Sequence, residues 1–172
     1  MSADILRKLT RAPNPPTTAY LIVQREFAEK LIPNAKRYSS QLSILLGAEF
    51  EIRTVATIRK SDFYPRPKVK TVLVELNQRE KSLVLSENLQ LFRDFVTYAY
   101  NAFKPTLAEA LKQIFSTNEF QDVSRKLRIS VQARPSSLSL EQWVGLFSVV
   151  CQKRQLLTET VNGFEAELAE TQ

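Results

Sequence analysis

The stretch from Arg53 to Lys70 holds the residues of this chain that are best suited to bind a nucleotide. It contains six Lys or Arg residues against one acid, Asp62, and two adjacent aromatic residues, Phe63 and Tyr64. The cations are Arg53, Arg59, Lys60, Arg66, Lys68 and Lys70. Cationic side chains pair with phosphates, while an aromatic ring can stack on a base that has left its helix. The stretch therefore predicts either a site for an unstacked nucleotide or a solvated loop with Phe63 tucked into the core.

Two further groups of residues could extend this site. Gln24-Arg25-Glu26 follows an apolar run, at the position where open α/β sheets bind ligands, although Glu26 would equally suit the first turn of a helix. Basic residues later in the chain either enlarge a phosphate-binding surface or only keep helices soluble. These residues are Lys112, Arg125, Lys126, Arg128 and Arg134.

The composition excludes several kinds of catalytic site. Without histidine, the chain cannot form an imidazole acid-base pair, a Ser-His or Cys-His nucleophile, or the common zinc sites. Cys151 is the single cysteine, which excludes an internal disulfide and a cysteine-rich metal site. Gly47, Gly145 and Gly163 are the three glycines, and they lie too far apart for a glycine-rich phosphate loop. We therefore expect no metal site and no cofactor-phosphate loop.

Size and charge indicate the broad class of protein. The 172 residues predict one domain or slightly more, and 44% apolar residues suffice for a core. The apolar runs are too short for a membrane span and the N-terminus does not resemble a signal peptide, so we expect a cytoplasmic protein with no membrane partner. The net charge of +6 favours a polyanionic partner.

The first part of the chain alternates between predicted helices and strands. Helices are predicted near 2–9, 25–32 and 41–48. The apolar run 19–23 is typical of a strand buried on both faces of a parallel sheet. Two alternating segments follow, with Phe50, Ile52, Thr54, Ala56 and Ile58 on one face of the first and Val72, Val74 and Leu76 on one face of the second. Joined by the basic stretch, they predict an antiparallel pair at one end of a sheet.

Beyond the polar segment 78–86 only helices are expected. A first helix is predicted from the apolar stripe of Phe92, Val96, Ala99 and Phe103. Three later helices are predicted from pairs of residues that could cap their first turns. These pairs are Thr106 with Glu109, Asn118 with Gln121, and Ser139 with Gln142. Trp143 and Cys151 are expected in the core. The tail 155–172 contains four glutamates and no basic residue, which predicts a solvated or frayed helix.

This order of elements matches the second half of a doubly wound α/β domain followed by a helical appendage. We therefore predict an α/β plus α fold. We predict two units, a partial doubly wound unit over 1–78 and a helical unit with an acidic tail over 79–172.

Two segments of the sequence resemble the ribosomal RNA adenine N6-methyltransferases. Tyr20 to Leu31, read as YLIVQREFAEKL, looks like the fifth strand and following helix of that family. Phe63 to Val69, read as FYPRPKV, is similar to the family's F-x-P-x-P-K-V segment before the last strand. Segments 114–120 and 138–147 look more like the helical RNA-binding part of the macrolide-resistance enzymes than that of the housekeeping small-subunit enzymes.

The resemblance implies a fold, a substrate and a cofactor. The fold would be the C-terminal half of a Rossmann-like class I methyltransferase sheet followed by a helical RNA-binding domain. The complete enzyme would transfer methyl groups from S-adenosylmethionine to an adenine of 23S ribosomal RNA, with Phe63 stacking on the flipped base. Arg59, Lys60, Arg66, Lys68, Lys70, Lys112, Arg125 and Lys126 would bind the RNA.

The family's cofactor motifs have no counterpart in this sequence, and the resemblance would place them before Met1. We therefore expect that this chain alone does not bind S-adenosylmethionine and is inactive. Two alternatives remain open, a housekeeping small-subunit dimethyltransferase and a non-catalytic RNA-binding module. We also expect the open edge of the 19–23 strand to pair with a missing N-terminal half or with a second copy.

Overall fold

A computed structural model of the chain describes residues 2–33 and 38–170. Within these ranges, strands β1 (Thr18–Gln24), β2 (Phe50–Ile58) and β3 (Thr71–Gln78) form a sheet in the order β1-β3-β2. Both outer strands run antiparallel to β3. Met1, before which the resemblance would place the cofactor motifs, lies outside the described residues.

Helices surround and follow this sheet. Those of the first part are α1 (Ser2–Thr10), α2 (Arg25–Leu31) and α3 (Gln41–Gly47). Those of the second part are α4 (Leu89–Asn101), α5 (Leu107–Ala110), α6 (Thr117–Leu127), α7 (Leu140–Val150), α8 (Arg154–Val161) and α9 (Phe164–Glu170). The helix and strand types predicted for the first part are confirmed, and no helix of the described ranges is long and apolar enough to cross a membrane.

The central strand β3 has the predicted alternation. Val72, Val74 and Leu76 are buried in one cluster with residues of α1 and α2, including Leu6 and Leu31. Because side chains alternate along a strand, Thr71, Leu73 and Glu75 project from the opposite face. The antiparallel pairing of β2 with β3, joined by the basic stretch, is also confirmed.

Strand β1 differs from the expectation of a strand buried on both faces of a parallel sheet. In the described part of the chain it pairs with β3 alone, and that pairing is antiparallel. Val23 is buried, but Tyr20 and Ile22 are 60% and 57% exposed. The reason is that Tyr20 and Ile22 face the side of Leu73 and Glu75, away from the cluster that contains residues of α1 and α2.

Strand β2 contains a β-bulge that the alternating sequence pattern does not predict. Thr54 pairs with Val74 but Ala56 pairs with Leu73, so Val55 is an extra residue on this strand. A single extra residue reverses which face the following side chains occupy. Ala56 and Ile58 therefore lie on the face opposite to Phe50 and Ile52, and the predicted continuous face is wrong beyond Thr54.

The predicted boundary segment 78–86 is tied to the sheet unit. The backbone N–H groups of Arg79 and Leu83 donate to the carbonyl oxygens of Glu49 and Ala48, at 2.8 and 2.9 Å. Helix α3 contributes to both cores, since Leu46 packs in the sheet cluster while Ile44 packs in the helical cluster. The division at 78 and 79 remains a prediction, and α3 lies at the junction of the two clusters.

The helical core confirms the aromatic interior expected around Trp143. Its side chain is fully buried and its indole contacts Phe95 edge to face, with ring centroids 5.8 Å apart. Cys151 is half-buried against this cluster, and burial raises the pKa of its thiol, which disfavours a nucleophilic thiolate. The predicted cap of α7 is confirmed, because Ser139 and Gln142 form a reciprocal capping box.

Two predicted helix boundaries are wrong. Helix α6 is capped by Ser116 with Glu119, two residues before the predicted Asn118, because this pair satisfies backbone N–H groups in both directions. Phe103, predicted on the apolar stripe of α4, lies beyond the end of that helix and is 92% exposed. Thr106 does cap α5 as predicted, accepting a hydrogen bond from the N–H of Glu109.

The acidic tail is neither solvated nor frayed where the structure describes it. Leu157 and Val161, one turn apart on α8, are buried in the helical core. The carboxylate of Asp94 on α4 accepts the N–H of Glu165 at the start of α9. The glutamates dominate the composition of the tail, but two apolar residues spaced by four suffice to dock it. Residues 171–172 lie outside the described ranges.

Candidate nucleic-acid interface

The basic stretch forms a loop that is closed at its base. A short 3-10 turn over Lys60–Asp62 follows β2, and the Asp62 carboxylate lies 3.4 Å from the Arg59 guanidinium. The Lys60 ammonium donates to the carbonyl oxygen of Lys68 at 2.7 Å. The only acid of the loop is thus neutralised locally, and the two arms of the loop are held together.

Five of the six basic residues of the stretch project from this loop into solvent. They are Arg59, Lys60, Arg66, Lys68 and Lys70, all exposed. Within the described ranges, Arg66, Lys68 and Lys70 form no ion pair. Unpaired, solvated cations on one loop are available to phosphates, so the geometry is compatible with the predicted role, which stays a prediction.

The sixth cation, Arg53, belongs to the sheet instead. Its guanidinium pairs with the carboxylate of Glu75, which is only 5% exposed and also accepts the Tyr20 hydroxyl at 2.6 Å. The hydrogen bonds from Arg53 and then Tyr20 lower the pKa of Glu75, while the bond to Glu75 raises the pKa values of Arg53 and Tyr20. Arg53 is therefore engaged by this carboxylate.

The two aromatic residues of the loop differ in exposure. Phe63 is half-buried and belongs to neither hydrophobic cluster of the described residues, while Tyr64 is fully exposed. Phe63 is thus not a residue of the main core, which was one of the two interpretations of this stretch. Its ring lies on the same loop as the exposed cations, as a base-stacking role requires.

The end of β1 and the start of β3 form a cleft beside this loop. The cleft has a volume of about 510 Å³ and is lined by Gln24, Arg25, Glu26, Glu29, Lys68, Val69 and Lys70. Antiparallel pairing places Gln24 opposite Thr71, and the Arg25 N–H donates to the carbonyl oxygen of Lys70 at 2.9 Å. Two separate candidate groups of the sequence, Gln24-Arg25-Glu26 and the basic loop, are thereby brought together.

Sequence reasoning missed two of the cleft's residues. Glu29 lies one helical turn after Arg25, and its carboxylate is 3.1 Å from the Arg25 guanidinium. Val69 lies between the two lysines on the loop. The i,i+4 spacing of Arg25 and Glu29 was a visible signal, but the register of β1 on β3, which places them beside Lys68, was not.

The other predicted RNA-binding residues lie in the helical part of the chain. Arg125 on α6 pairs with Asp122, and Lys126 beside it is exposed. Lys112, after α5, lines a different cleft of about 400 Å³. These three residues are not among those lining the cleft beside the loop, and their role in RNA binding stays a prediction.

The three glycines of the chain serve helix packing or a turn. A Cβ atom at Gly47 would meet Leu140 at 2.9 Å and one at Gly145 would meet Leu127 at 2.8 Å, so both glycines serve helix packing. Gly163 has a positive φ of 79° in the turn before α9, with open space around it. None of the three glycines forms a cradle for a ligand. In the described ranges no group of His, Cys, Asp and Glu could hold a metal ion either.

The chain is similar to bacterial ribosomal RNA methyltransferases. It is 27% identical to the ribosomal RNA small subunit methyltransferase A of Natranaerobius thermophilus, covering 87% of this chain and 51% of that protein. It is 30% identical to the enzyme of the same name from Clostridium perfringens strain SM101, covering 76% of this chain and 46% of that protein. The chain thus spans about half the length of the curated relatives it matches.

Solved structures share the fold. The crystal structure of the 23S rRNA methyltransferase ErmE matches with a TM-score of 0.74 at 21% identity, covering 87% of this chain and 60% of that one. A dimethyladenosine transferase from Plasmodium falciparum matches with a TM-score of 0.68 at 21% identity, covering 88% and 64%. The Rossmann-like methyltransferase relationship expected from the sequence is confirmed at the level of fold. The model of the family described as ribosomal RNA adenine dimethylase matches residues 1–152, and the chain therefore belongs to that family.

Proposed function

We propose that this chain is the RNA-binding, C-terminal part of an S-adenosylmethionine-dependent ribosomal RNA adenine N6-methyltransferase. The observation that carries the proposal is the cleft between β1 and β3, where Lys68 and Lys70 lie beside Arg25 and its partner Glu29, at the foot of the loop that holds Phe63. Cations around an exposed loop with an aromatic residue suit a nucleotide that has left its helix. Membership of a family named for ribosomal RNA adenine dimethylation makes an adenine of ribosomal RNA the fitting target.

The small ribosomal subunit is the better-supported source of that RNA. The sequence relatives described above are named as small-subunit enzymes, although the sequence analysis favoured the macrolide-resistance type. The ErmE likeness, at 21% identity, supports the fold without deciding between the two substrates. We therefore propose a small-subunit target, with 23S ribosomal RNA as the alternative.

The chain's own residues would hold and orient the RNA. Lys68, Lys70 and Arg66 would contact phosphates, and Phe63 would stack on the extruded adenine. The methyl donor would bind to residues that this chain does not supply, so we derive no step of methyl transfer from it. At the open edge of β1 we propose a protein partner, either a polypeptide carrying the cofactor-binding half or a second copy of this chain.

RNA binding by the 172-residue chain tests the proposal. We expect filter binding to a small-subunit ribosomal RNA fragment to be tighter than to a large-subunit fragment of equal length. The logarithm of the affinity should fall by about 0.7–0.9 per contacted phosphate against the logarithm of the salt concentration. Arg66→Glu combined with Lys68→Glu should lower both the affinity and this slope, because two phosphate contacts become repulsive.

A matched control separates the loop from a general effect of charge. Lys8 and Lys81 are exposed lysines outside the loop, so Lys8→Glu with Lys81→Glu gives the same change in net charge. Equal losses in the two double variants would mean that RNA responds only to the net charge of +6. Absence of measurable RNA binding by the unmodified chain would refute the proposed function.

Calorimetric titration with S-adenosylhomocysteine tests whether this chain has a cofactor site of its own. We expect no heat of binding, because none of the three glycines forms a cradle. A micromolar dissociation constant would show that this chain carries its own cofactor site. The non-catalytic alternative would be favoured if RNA binding persists and no cofactor-binding partner restores methylation.

A further inference from the structure

Phe103 occupies a position that is costly for an aromatic residue. It follows the end of α4 with a φ of 51°, in the left-handed region, where glycine or asparagine is the usual helix-terminating residue. A bulky side chain there is strained. Its ring is also 92% exposed and belongs to neither hydrophobic cluster of the described residues. The side chain is therefore not part of the hydrophobic core, and strain of this kind is characteristic of binding sites.

The residues on both sides of Phe103 line the second cleft, of about 400 Å³. Ala102 and Lys104 belong to its wall, and Lys112 contributes from the segment after α5. Tyr98 and Phe164 form part of the wall, with ring centroids 5.3 Å apart in an edge-to-face contact. Phe103 itself does not line the cleft, so its exposed ring lies outside a wall that carries two aromatic residues and two ammonium groups.

The charges of this corner favour an anionic ligand. Lys104 and Lys112 are both exposed and form no ion pair within the described ranges. The cleft is lined by one carboxylate, that of Glu109, so cations outnumber anions by two to one. An exposed ring alone would also suit a protein partner. An exposed ring next to Lys104 in the chain, at the rim of a cleft with a second lysine, suits an unpaired nucleotide, because the base can stack while the backbone is neutralised.

We propose that Phe103, with Lys104 and Lys112, forms a stacking site for an unpaired nucleotide of RNA, separate from the β2–β3 loop. This inference rests on the proposed function, since it takes RNA as the ligand. The inference adds to the proposed function a second RNA contact, in which the helical part of the chain binds a nucleotide that is not base-paired. The site recognises the single-stranded state rather than a particular base, because every base has a face that can stack.

The test compares single-stranded and fully paired RNA of the same sequence, with affinities for the full chain measured by fluorescence anisotropy. Phe103→Asn removes the ring and suits the left-handed backbone. We expect it to weaken single-strand binding about 5- to 150-fold, the range that corresponds to loss of one stacked base, and to leave duplex binding unchanged. Its thermal midpoint should not fall, because the strain is relieved.

Matched variants make the test specific. Tyr38 is another aromatic residue that is 80% exposed, so Tyr38→Ala controls for loss of a surface ring. Lys104→Ala and Lys112→Ala should each reduce the salt slope for single strands by about 0.7, whereas Lys81→Ala should not. The proposal is overturned if Phe103→Asn leaves single-strand affinity unchanged, or if it changes sedimentation instead, which would identify a protein contact.

The proposed function can fail separately. If the unmodified chain does not bind RNA at all, the proposed function fails and this site with it. If binding is weakened by reversing Arg66 and Lys68 but not by Phe103→Asn, the function stands and only the stacking site is refuted. If single-strand and duplex binding fall equally in Phe103→Asn, Phe103 does not recognise unpaired nucleotides and the proposal is again refuted.

Discussion

Asp94 on α4 caps α9, because its buried carboxylate accepts the backbone N–H of Glu165 at 3.0 Å. The same carboxylate accepts the N–H of Gly163 at 3.2 Å. The Glu165 side chain in turn pairs with Arg11, the residue that follows α1. Residues 153–170 lie beyond the part matched by the family model, yet these contacts join them to both parts of the chain.

Replacing Asp94 by alanine should destabilise the chain. Hydrogen bonds to a charged group contribute about 1.5–3 kcal/mol, and the N–H of Glu165 would be left without its partner in a buried position. We expect a loss of this size in the free energy of unfolding, measured by urea denaturation. Asp122→Ala, which removes an exposed carboxylate paired with Arg125, should change it by less than about 0.5 kcal/mol. Equal effects would mean that the cap of α9 is not a stabilising contact.

Two adjacent leucines in α8 provide a second test of the docked tail. Leu157 is fully buried, whereas Leu156 is 39% exposed. Leu157→Ala should lower the free energy of unfolding by about 2–5 kcal/mol, because it leaves a cavity in the helical core. Leu156→Ala should cost much less. If both variants unfold at the urea concentration of the unmodified chain, the tail is frayed as the sequence predicted.

Structural features that depend on residues close together in the sequence were predicted better than features that depend on distant residues. The reciprocal cap of Ser139 with Gln142 and the alternation of β3 follow from neighbours a few residues apart, and both were predicted. The Val55 bulge and the register that places Gln24 beside Lys70 depend on pairing between distant strands. The exposed position of Phe103 was missed because the 3.6-residue period continues past the residue where the backbone leaves the helix.

The candidate site shows the same division. The basic loop and Phe63 were recognisable from composition and spacing, whereas the cleft exists only because β1 and β3 are paired. Arg53 was counted with the loop because it is basic, but it pairs across the sheet with Glu75. A sequence pattern identifies the type of a side chain, and tertiary contacts decide whether its charge is available.

Stability should depend on acid through Glu119. Lys153, and then the N–H and hydroxyl of Ser116, hold the pKa of this carboxyl at about 2 instead of its ordinary 4.5. A depressed pKa in the folded state stabilises the fold above pH 4.5, and that contribution is lost as the pH falls from about 4.5 to about 2. With no histidine in the chain, the free energy of unfolding should change little between about pH 6 and 8.

Urea denaturation at a series of pH values measures this dependence. Glu119→Gln should reduce the loss of stability below about pH 4.5, because the variant has no carboxyl to protonate at that position. Glu87→Gln serves as the control, because it removes an exposed carboxyl that has no ion pair or hydrogen bond within the described ranges. An identical acid profile for Glu119→Gln and the unmodified chain would contradict the assignment.

The two outer edges of the sheet differ in how they are protected from pairing with another strand. The outer strand β2 carries Glu51 and Arg53 and is interrupted by the Val55 bulge, and charges and bulges both discourage edge-to-edge pairing. The outer strand β1 has the sequence TAYLIVQ, with no charge, proline or bulge. Within residues 2–33 and 38–170 no strand pairs with its outer edge.

We therefore expect the chain to self-associate through β1. Antiparallel pairing of two copies would join the neutral edges and place Tyr20 and Ile22 of one copy beside those of the other, removing apolar surface from water. Sedimentation velocity should show a species that grows with protein concentration. Ile22→Lys should abolish this species, because a charge would then lie at the pairing edge. Val55→Lys is the matched control, since Val55 on β2 is 48% exposed and Ile22 is 57% exposed. We expect Val55→Lys to leave the self-association unchanged. If the chain is a monomer at all concentrations, or if the two lysine variants have equal effects, the edge of β1 does not pair with a second copy. The proposed partner of this edge would then be a polypeptide that carries the cofactor-binding half.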